Sequence, residues 1–186
     1  PRPFADSPQP ALDRLAHPGE LVEQAAKLGL DALALTDVGG VYGIPKAYLA
    51  QKENPAIKLI SGAELCVENH PAITLLAQDR AAYGLMCRIL TAAHENQPKG
   101  TSLISWDRLL PFLHERPSQG LVAIAQDGDN VAYGRLKDIF PDRLVIPLFR
   151  FLDGRDEERT KRALEASERF GIAIIALVYV PVLSLG

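Results

Sequence analysis

An α/β fold built around a parallel sheet or barrel is what this chain predicts, and three observations carry the prediction. Short apolar runs alternate repeatedly with helical patterns along the sequence. The runs are apolar on both faces, so helices must cover both sides of a sheet or wrap a barrel. Two runs end abruptly at an acidic residue with glycine nearby: residues 31–43 read DALALTDVGGVYG and residues 57–64 read IKLISGAE. That is how a buried strand delivers a carboxylate to the carboxyl-end rim of a sheet, where α/β proteins keep their sites. Asp37 and Glu64 stand at these two ends.

Residues 1–16 are rich in proline (Pro1, Pro3, Pro8, Pro10) and read as irregular, with a short strand at residues 3–6. The first helix starts at Pro18, which suits a first turn, and stops at Gly29; Leu21, Val22, Ala25, Ala26 and Leu28 give it an apolar face. A strand over residues 32–37 follows, then a helix over about 46–51 that Asn54-Pro55 ends. Strands are predicted at 57–64 and 72–77, and a long helix at 80–94 with Leu85, Met86, Ile89 and Leu90 at helical spacing. Residues 96–100 (NQPKG) form a turn. Ser105 caps a helix carrying Trp106, Leu109, Leu110 and Leu113, which Pro111 shortens or kinks. Next come a strand at 121–126 ending at Asp127-Gly128-Asp129, a helix at 131–140, and a strand at 143–150 whose Pro147 hints at an edge or bulge. Residues 156–170 are the clearest helix, with Glu157–Lys161 and Glu158–Arg162 at i,i+4 spacing and Gly171 as its stop. Residues 172–178 are the last strand.

The totals narrow the function classes. A chain of 186 residues, 47% hydrophobic and 23% charged, fits one globular domain spanning residues 1–186 with a sizeable core. Its net charge of −3 argues against an autonomous nucleic-acid binder. Two cysteines, Cys66 and Cys87, make no disulfide framework and lack CxxC spacing, so a reducing cytoplasm is the expected setting. No apolar run approaches the ~18 residues of a membrane-spanning helix. The chain begins at Pro1 rather than Met, which reads as a piece of something longer. Neither GxGxxG, a Walker A loop nor GxSxG is present, leaving dinucleotide, NTP and serine-hydrolase readings without support.

LTDVGGVYGIPKAY (residues 35–48), GAEL (62–65) and LLAQDRAAYGLMCRILTAAH (75–94) followed by Lys99-Gly100 resemble the PHP (polymerase and histidinol phosphatase) domain of bacterial replicative-type DNA polymerases. HPGELVEQAAKLGLDALALTD (17–37), GLVAIAQ (120–126), DRLVIPLFRFLDGRDEE (142–158) and FGIAIIA (170–176) fit the same family in the same order. Among its branches the chain looks most like the error-prone, DNA polymerase III alpha-like one. The resemblance implies a distorted, TIM-like (β/α)7 barrel, here incomplete or open at one edge. It also implies a His, Asp, Glu and Cys cluster at the strand ends that holds up to three metal ions and hydrolyses phosphoesters.

This sequence departs from the family pattern at most of those positions. Residues 4–10 hold no His-x-His pair. Thr36-Asp37-Val38-Gly39-Gly40 has valine where the family has histidine. Ala72 replaces a second histidine, Asp127 a cysteine, and Tyr179 and Pro181 the final Asp-x-His. Glu64 keeps its place. Ions ~4 Å apart need a dense shell of hard and imidazole ligands, so Glu64, Asp127 and Asp37 read as vestigial candidates and no metal, catalytic or cofactor residue is expected. Asp37 is more simply a cap for the Gly39-Gly40 loop. Glu64 is equally a ligand or a buried, paired carboxylate. Val38 and Tyr179 fill the former cavity. His17 reads as a helix start, His70 as a substitute ligand at best, and none of His17, His70, His94 and His114 lies at a strand end. Cys66 and Cys87 read as half-buried fillers, and Tyr42, Tyr48 and Tyr83 as packing residues.

The expected function is a catalytically inactive module that braces a polymerase and meets its palm, thumb and accessory proteins. DNA and magnesium are then matters for the parent enzyme, and zinc or manganese is not expected on this chain. Two alternatives stay open: a metal-dependent phosphoesterase or exonuclease with a reduced site (Glu64, Asp127, with Asp37 or His70), and a scaffold engineered from such a domain.

Overall fold

The computed structural model describes residues 17–125, 130–149 and 154–177. Six strands form one sheet in chain order: β1 (Ala32–Val38), β2 (Lys58–Leu65), β3 (Ile73–Ala77), β4 (Leu121–Ala125), β5 (Leu144–Phe149) and β6 (Ala173–Leu177). The sheet curls into a half barrel with β1 and β6 at its edges among the described residues. The strand expected at residues 3–6 lies outside the described residues.

Helix α1 (Pro18–Lys27) is set by its first residues. His17 is the N-cap and shares a capping box with Glu20, Pro18 opens the first turn, and Gly29 at φ +69° lets the chain leave. Helix α2 (Ile44–Glu53) extends two residues past the sequence expectation at each end; Asn54 closes it by donating from Nδ2 to the Ala50 carbonyl. Helix α3 (Arg80–His94) starts at Asp79, whose carboxylate accepts from the Ala82 N–H at 2.8 Å. Helix α4 (Trp106–Leu113) carries Pro111 inside it and is short. Ser105 is its N-cap residue, but its side chain makes no capping bond. After a 3-10 turn (Arg116–Gly120) and β4 come α5 (Asn130–Ile139) and α6 (Asp156–Phe170), the latter ended by Gly171 at φ +61°. On α6 the ion pairs are Arg159–Asp156 and Lys161–Glu165, rather than the two pairs expected from spacing.

The sheet is not uniformly parallel. The pairs β1–β2, β4–β5 and β5–β6 are parallel, whereas β3 runs antiparallel to both β2 and β4. Residues 66–72 are too few to recross the sheet, and a parallel connection needs roughly a dozen residues or more, so β3 turns straight back. The long excursion through α3 and α4 leaves and re-enters at one end of the sheet, because Ala77 pairs with Leu121 and Ile73 with Ala125.

Register separates the two faces. One carries Ala63, Leu65, Ile73, Leu75, Leu121, Ala123, Leu144 and Ile146 and packs against Leu85, Met86 and Ile89 of α3 in the main core. The opposite, concave face carries Thr36, Val38, Gly62, Glu64, Thr74, Leu76 and Ile124. A smaller, separate core joins α1, α2 and β1 through Val22, Leu35, Ile44 and Ala47.

Candidate functional site

The rim of interest is formed where β1 and β2 end, β3 begins and β4 ends. Strand pleating decides what each residue there can reach, since neighbours in sequence point to opposite faces. Val38 pairs with Glu64, and Glu64 with Thr74, so these three share the concave face. Asp37 pairs with Ala63 and shares its face with Leu35, which is buried in the small core. The two carboxylates therefore lie on opposite sides of the sheet and do not form one ligand set.

Asp37 has a structural task instead. Its Oδ2 accepts a 2.6 Å hydrogen bond from the Gly43 N–H, which is the start of α2. The expected cap is present, but its donor is Gly43 rather than the Gly39-Gly40 loop. Gly43 suits the contact because a Cβ there would come within 3.3 Å of that carboxylate oxygen and 3.1 Å of Pro18.

Val38 does not fill a cavity, contrary to the expectation from sequence: it is 62% exposed. One level deeper the concave face is closed by Gly62. A Cβ on Gly62 would lie 2.6 Å from Leu76 Cδ2 and 2.9 Å from Thr36 Cγ2, so neighbouring side chains lean over the glycine. Glu64 is half-buried beside the buried Thr74. Its negative charge also reaches Cys66: burial chiefly, and Glu64 secondarily, push the Cys66 thiol above the ordinary thiol range. Asp127, Tyr179 and Pro181, and the segment 4–10, lie outside the described residues.

Two histidines reach the rim by routes invisible to local pattern. His94, at the end of α3, places Nε2 2.7 Å from the Gly39 carbonyl oxygen and Nδ1 2.9 Å from that of Thr101. It thus pins the turn after β1 to the loop after α3, where Ser102 also packs against Gly39. His70, in the β2–β3 connection, has Nδ1 2.7 Å from the Pro71 carbonyl. A carbonyl only accepts, so Nδ1 holds a proton. His70 Nε2 is buried without a hydrogen-bond partner among the described residues, and the ring stacks on Trp106 at 5.1 Å. Nothing in the spacing of these residues announced either contact.

The other sequence expectations resolve simply. His17 is the helix cap it was expected to be. His114 is the exposed C-cap of α4. Both cysteines are free and half-buried. Tyr83 is half-buried, but Tyr42 and Tyr48 are 73% and 52% exposed, contrary to the expectation that they pack: Tyr42 precedes α2, and Tyr48 lies at the margin of the face that buries Ile44 and Ala47. Among the described residues no group of three or more His, Cys, Asp or Glu side chains is placed to hold a metal ion. With Asp37 turned to the other face, the carboxylates of Asp37 and Glu64 are not brought together as ligands of one ion.

A six-stranded, curled α/β sheet with its rim at these strand ends defines the class: a TIM-like half barrel. Residues 10–174 match the PHP domain family, and the chain belongs to it. It is 36% identical over 177 residues to the error-prone DNA polymerase of Anaeromyxobacter sp. (strain K), covering 88% of this chain and 15% of that polymerase. The error-prone DNA polymerase of Pseudomonas fluorescens is 34% identical over 160 residues, again 15% of its length. The chain thus spans about 15% of these relatives. Among solved structures, a Bifidobacterium adolescentis protein proposed to be a metal-dependent phosphoesterase superposes with a TM-score of 0.54 at 16% identity, over 88% of this chain and 82% of that one. An amidohydrolase of Chromobacterium violaceum, with bound sulfate and no metal, gives 0.52 at 15% identity over 84% and 79%. At such identities the likeness is one of fold. No helix among the described residues is long and apolar enough to cross a membrane.

Proposed function

We propose that this chain is a single PHP module of an error-prone DNA polymerase whose phosphoesterase chemistry has lapsed, and that it serves the enzyme as a brace for the palm, thumb and accessory proteins. The observation that carries the reading is the pairing of Val38 with Glu64 on the concave face, while Asp37 is spent on the Gly43 N–H. A rim that once neutralised several metal charges has an isopropyl group opposite its surviving glutamate. The identity to error-prone polymerases supports the parent enzyme, in which the nucleotidyl-transfer carboxylates and their magnesium would lie outside this chain.

A hydrolase with a reduced metal site is the second reading. It draws on His70 Nε2, unpartnered among the described residues, and on Glu64, with Asp127 as a further oxygen ligand; Asp37 drops out of that set by its orientation. Metal separates the two. Metal content of the purified polymerase, followed by zinc and manganese titration against thermal stability, is expected to show no stoichiometric ion bound to this module and no difference between the parent protein and Glu64→Ala. A ligand at a hundredfold excess over its Kd stabilises by about 2.7 kcal/mol. A gain of that size, lost in both Glu64→Ala and His70→Ala, establishes the second reading instead.

A further inference from the structure

We propose that the outward face of α2, formed by Pro45, Tyr48, Leu49 and Lys52 with Tyr42 at its head, is the surface on which the rest of the polymerase chain docks. The partner is an apolar helix or strand face edged by carboxylates. The proposal rests on the module reading and names the surface that reading requires.

Helix α2 is apolar on two sides. Ile44 and Ala47 are buried against α1 and β1 in the small core. Pro45, Tyr48, Leu49 and Lys52, spaced i, i+3, i+4, i+7, share a second face about a third of a turn round from the first. Leu49 there is 63% exposed and Tyr48 52%. A surface helix ordinarily carries one apolar stripe, and a helix apolar all round is a buried one.

Both tyrosines are held rather than loose. The Tyr42 ring lies against Gly40, where an added Cβ would fall 2.2 Å from Tyr42 Cε2, so glycine makes room for it. The Lys52 ammonium sits 4.8 Å over the Tyr48 ring. Aromatic side chains fixed before binding lose little freedom on docking, which is the character of interface anchors.

Charge and size select the occupant. Lys46 lies beside the stripe and Lys52 at its end, and Glu53 is the only acid on α2, so the complementary rim is acidic. A stripe of one short helix is small beside the roughly 1,600 Å² typical of a stable complex between free partners. It suffices as part of a contact within one chain, where tethering keeps the partner at about millimolar effective concentration. Relatives supply such a tether, since this module accounts for 15% of their length.

The test uses the full polymerase. Lysine acetylation read by mass spectrometry is expected to be several-fold slower at Lys46 and Lys52 than at the exposed Lys27 and Lys99. Zero-length carboxyl-to-amine cross-linking is expected to join Lys46 or Lys52 to Asp or Glu beyond residue 186 of the same polypeptide. Leu49→Asp, at an exposed position that leaves the fold intact, removes both effects, whereas Tyr48→Phe keeps them. Equal labelling of all four lysines overturns the proposal. So do cross-links only to a second copy or only to residues 1–16, and protection that arises only on adding primer–template DNA. A gene product of this length alone would instead remove the polymerase reading beneath it, which intact mass distinguishes.

Discussion

Glu64 and Cys66 stand two residues apart, at and just beyond the end of β2, and couple through charge. The thiol is raised first by burial and then by the glutamate's charge, so at mildly alkaline pH less of it is thiolate than for a free cysteine. Alkylation of Cys66 by iodoacetamide near pH 8 is therefore expected to be slow. Glu64→Gln lowers the thiol pKa by removing the second cause and speeds the reaction, with the pH–rate profile moving to lower pH. An unchanged profile would mean that Glu64 carries no charge beside Cys66. At this scale the sequence was half legible. The acidic end of β1 marked Asp37. Its orientation depended on where β1 begins its pleat relative to β2, and its partner on a turn six residues away. His94 and Gly39 meet across 55 positions of sequence, beyond any local pattern.

Helices α3 and α6 fall where the sequence placed them because their ends are written in single residues: Asp79 accepts the Ala82 N–H, and Gly171 takes a positive φ. The direction of β3 was less legible, since an apolar run of five residues looks alike in parallel and antiparallel pairing. The shortness of residues 66–72 was the available signal. Helix α3 is the element on which most of the main core rests, with Leu85, Met86 and Ile89 almost wholly buried. Ile89→Ala is expected to cost about 2–5 kcal/mol, because the cavity adds to the lost transfer energy. Urea unfolding reads this as a lower midpoint at unchanged slope. Leu164→Ala on α6, at a position 49% exposed, serves as the control and is expected to shift stability by about 0.5 kcal/mol or less. Equal losses at the two sites would show that α3 does not organise the core.

Across the whole molecule, stability is divided between two cores of unequal size. The main core spans β2 to β6 with α3 to α6, whereas α1, α2 and β1 meet in a small cluster of Val22, Leu35, Ile44 and Ala47. β1 is also an edge of the sheet, paired on one side by β2 among the described residues. The wing is held to the remainder by that ladder and by the contact of His94 with Gly39, while the bond from Gly43 to Asp37 ties α2 to β1 within it. Regions with few enclosed apolar contacts open at lower free energy than the global transition. Amide exchange is therefore expected to release α1 and α2 well before α3, β3 and β4. In the full polymerase the same amides gain protection if the outward face of α2 is covered, because a partner that binds only the closed wing stabilises it by mass action. Leu49→Asp should return α2 to fast exchange while leaving α3 unchanged. Uniform protection of α2 and α3 in the parent protein and in Leu49→Asp would mean that one cooperative unit spans both cores and that the wing is not the adaptable part of the fold.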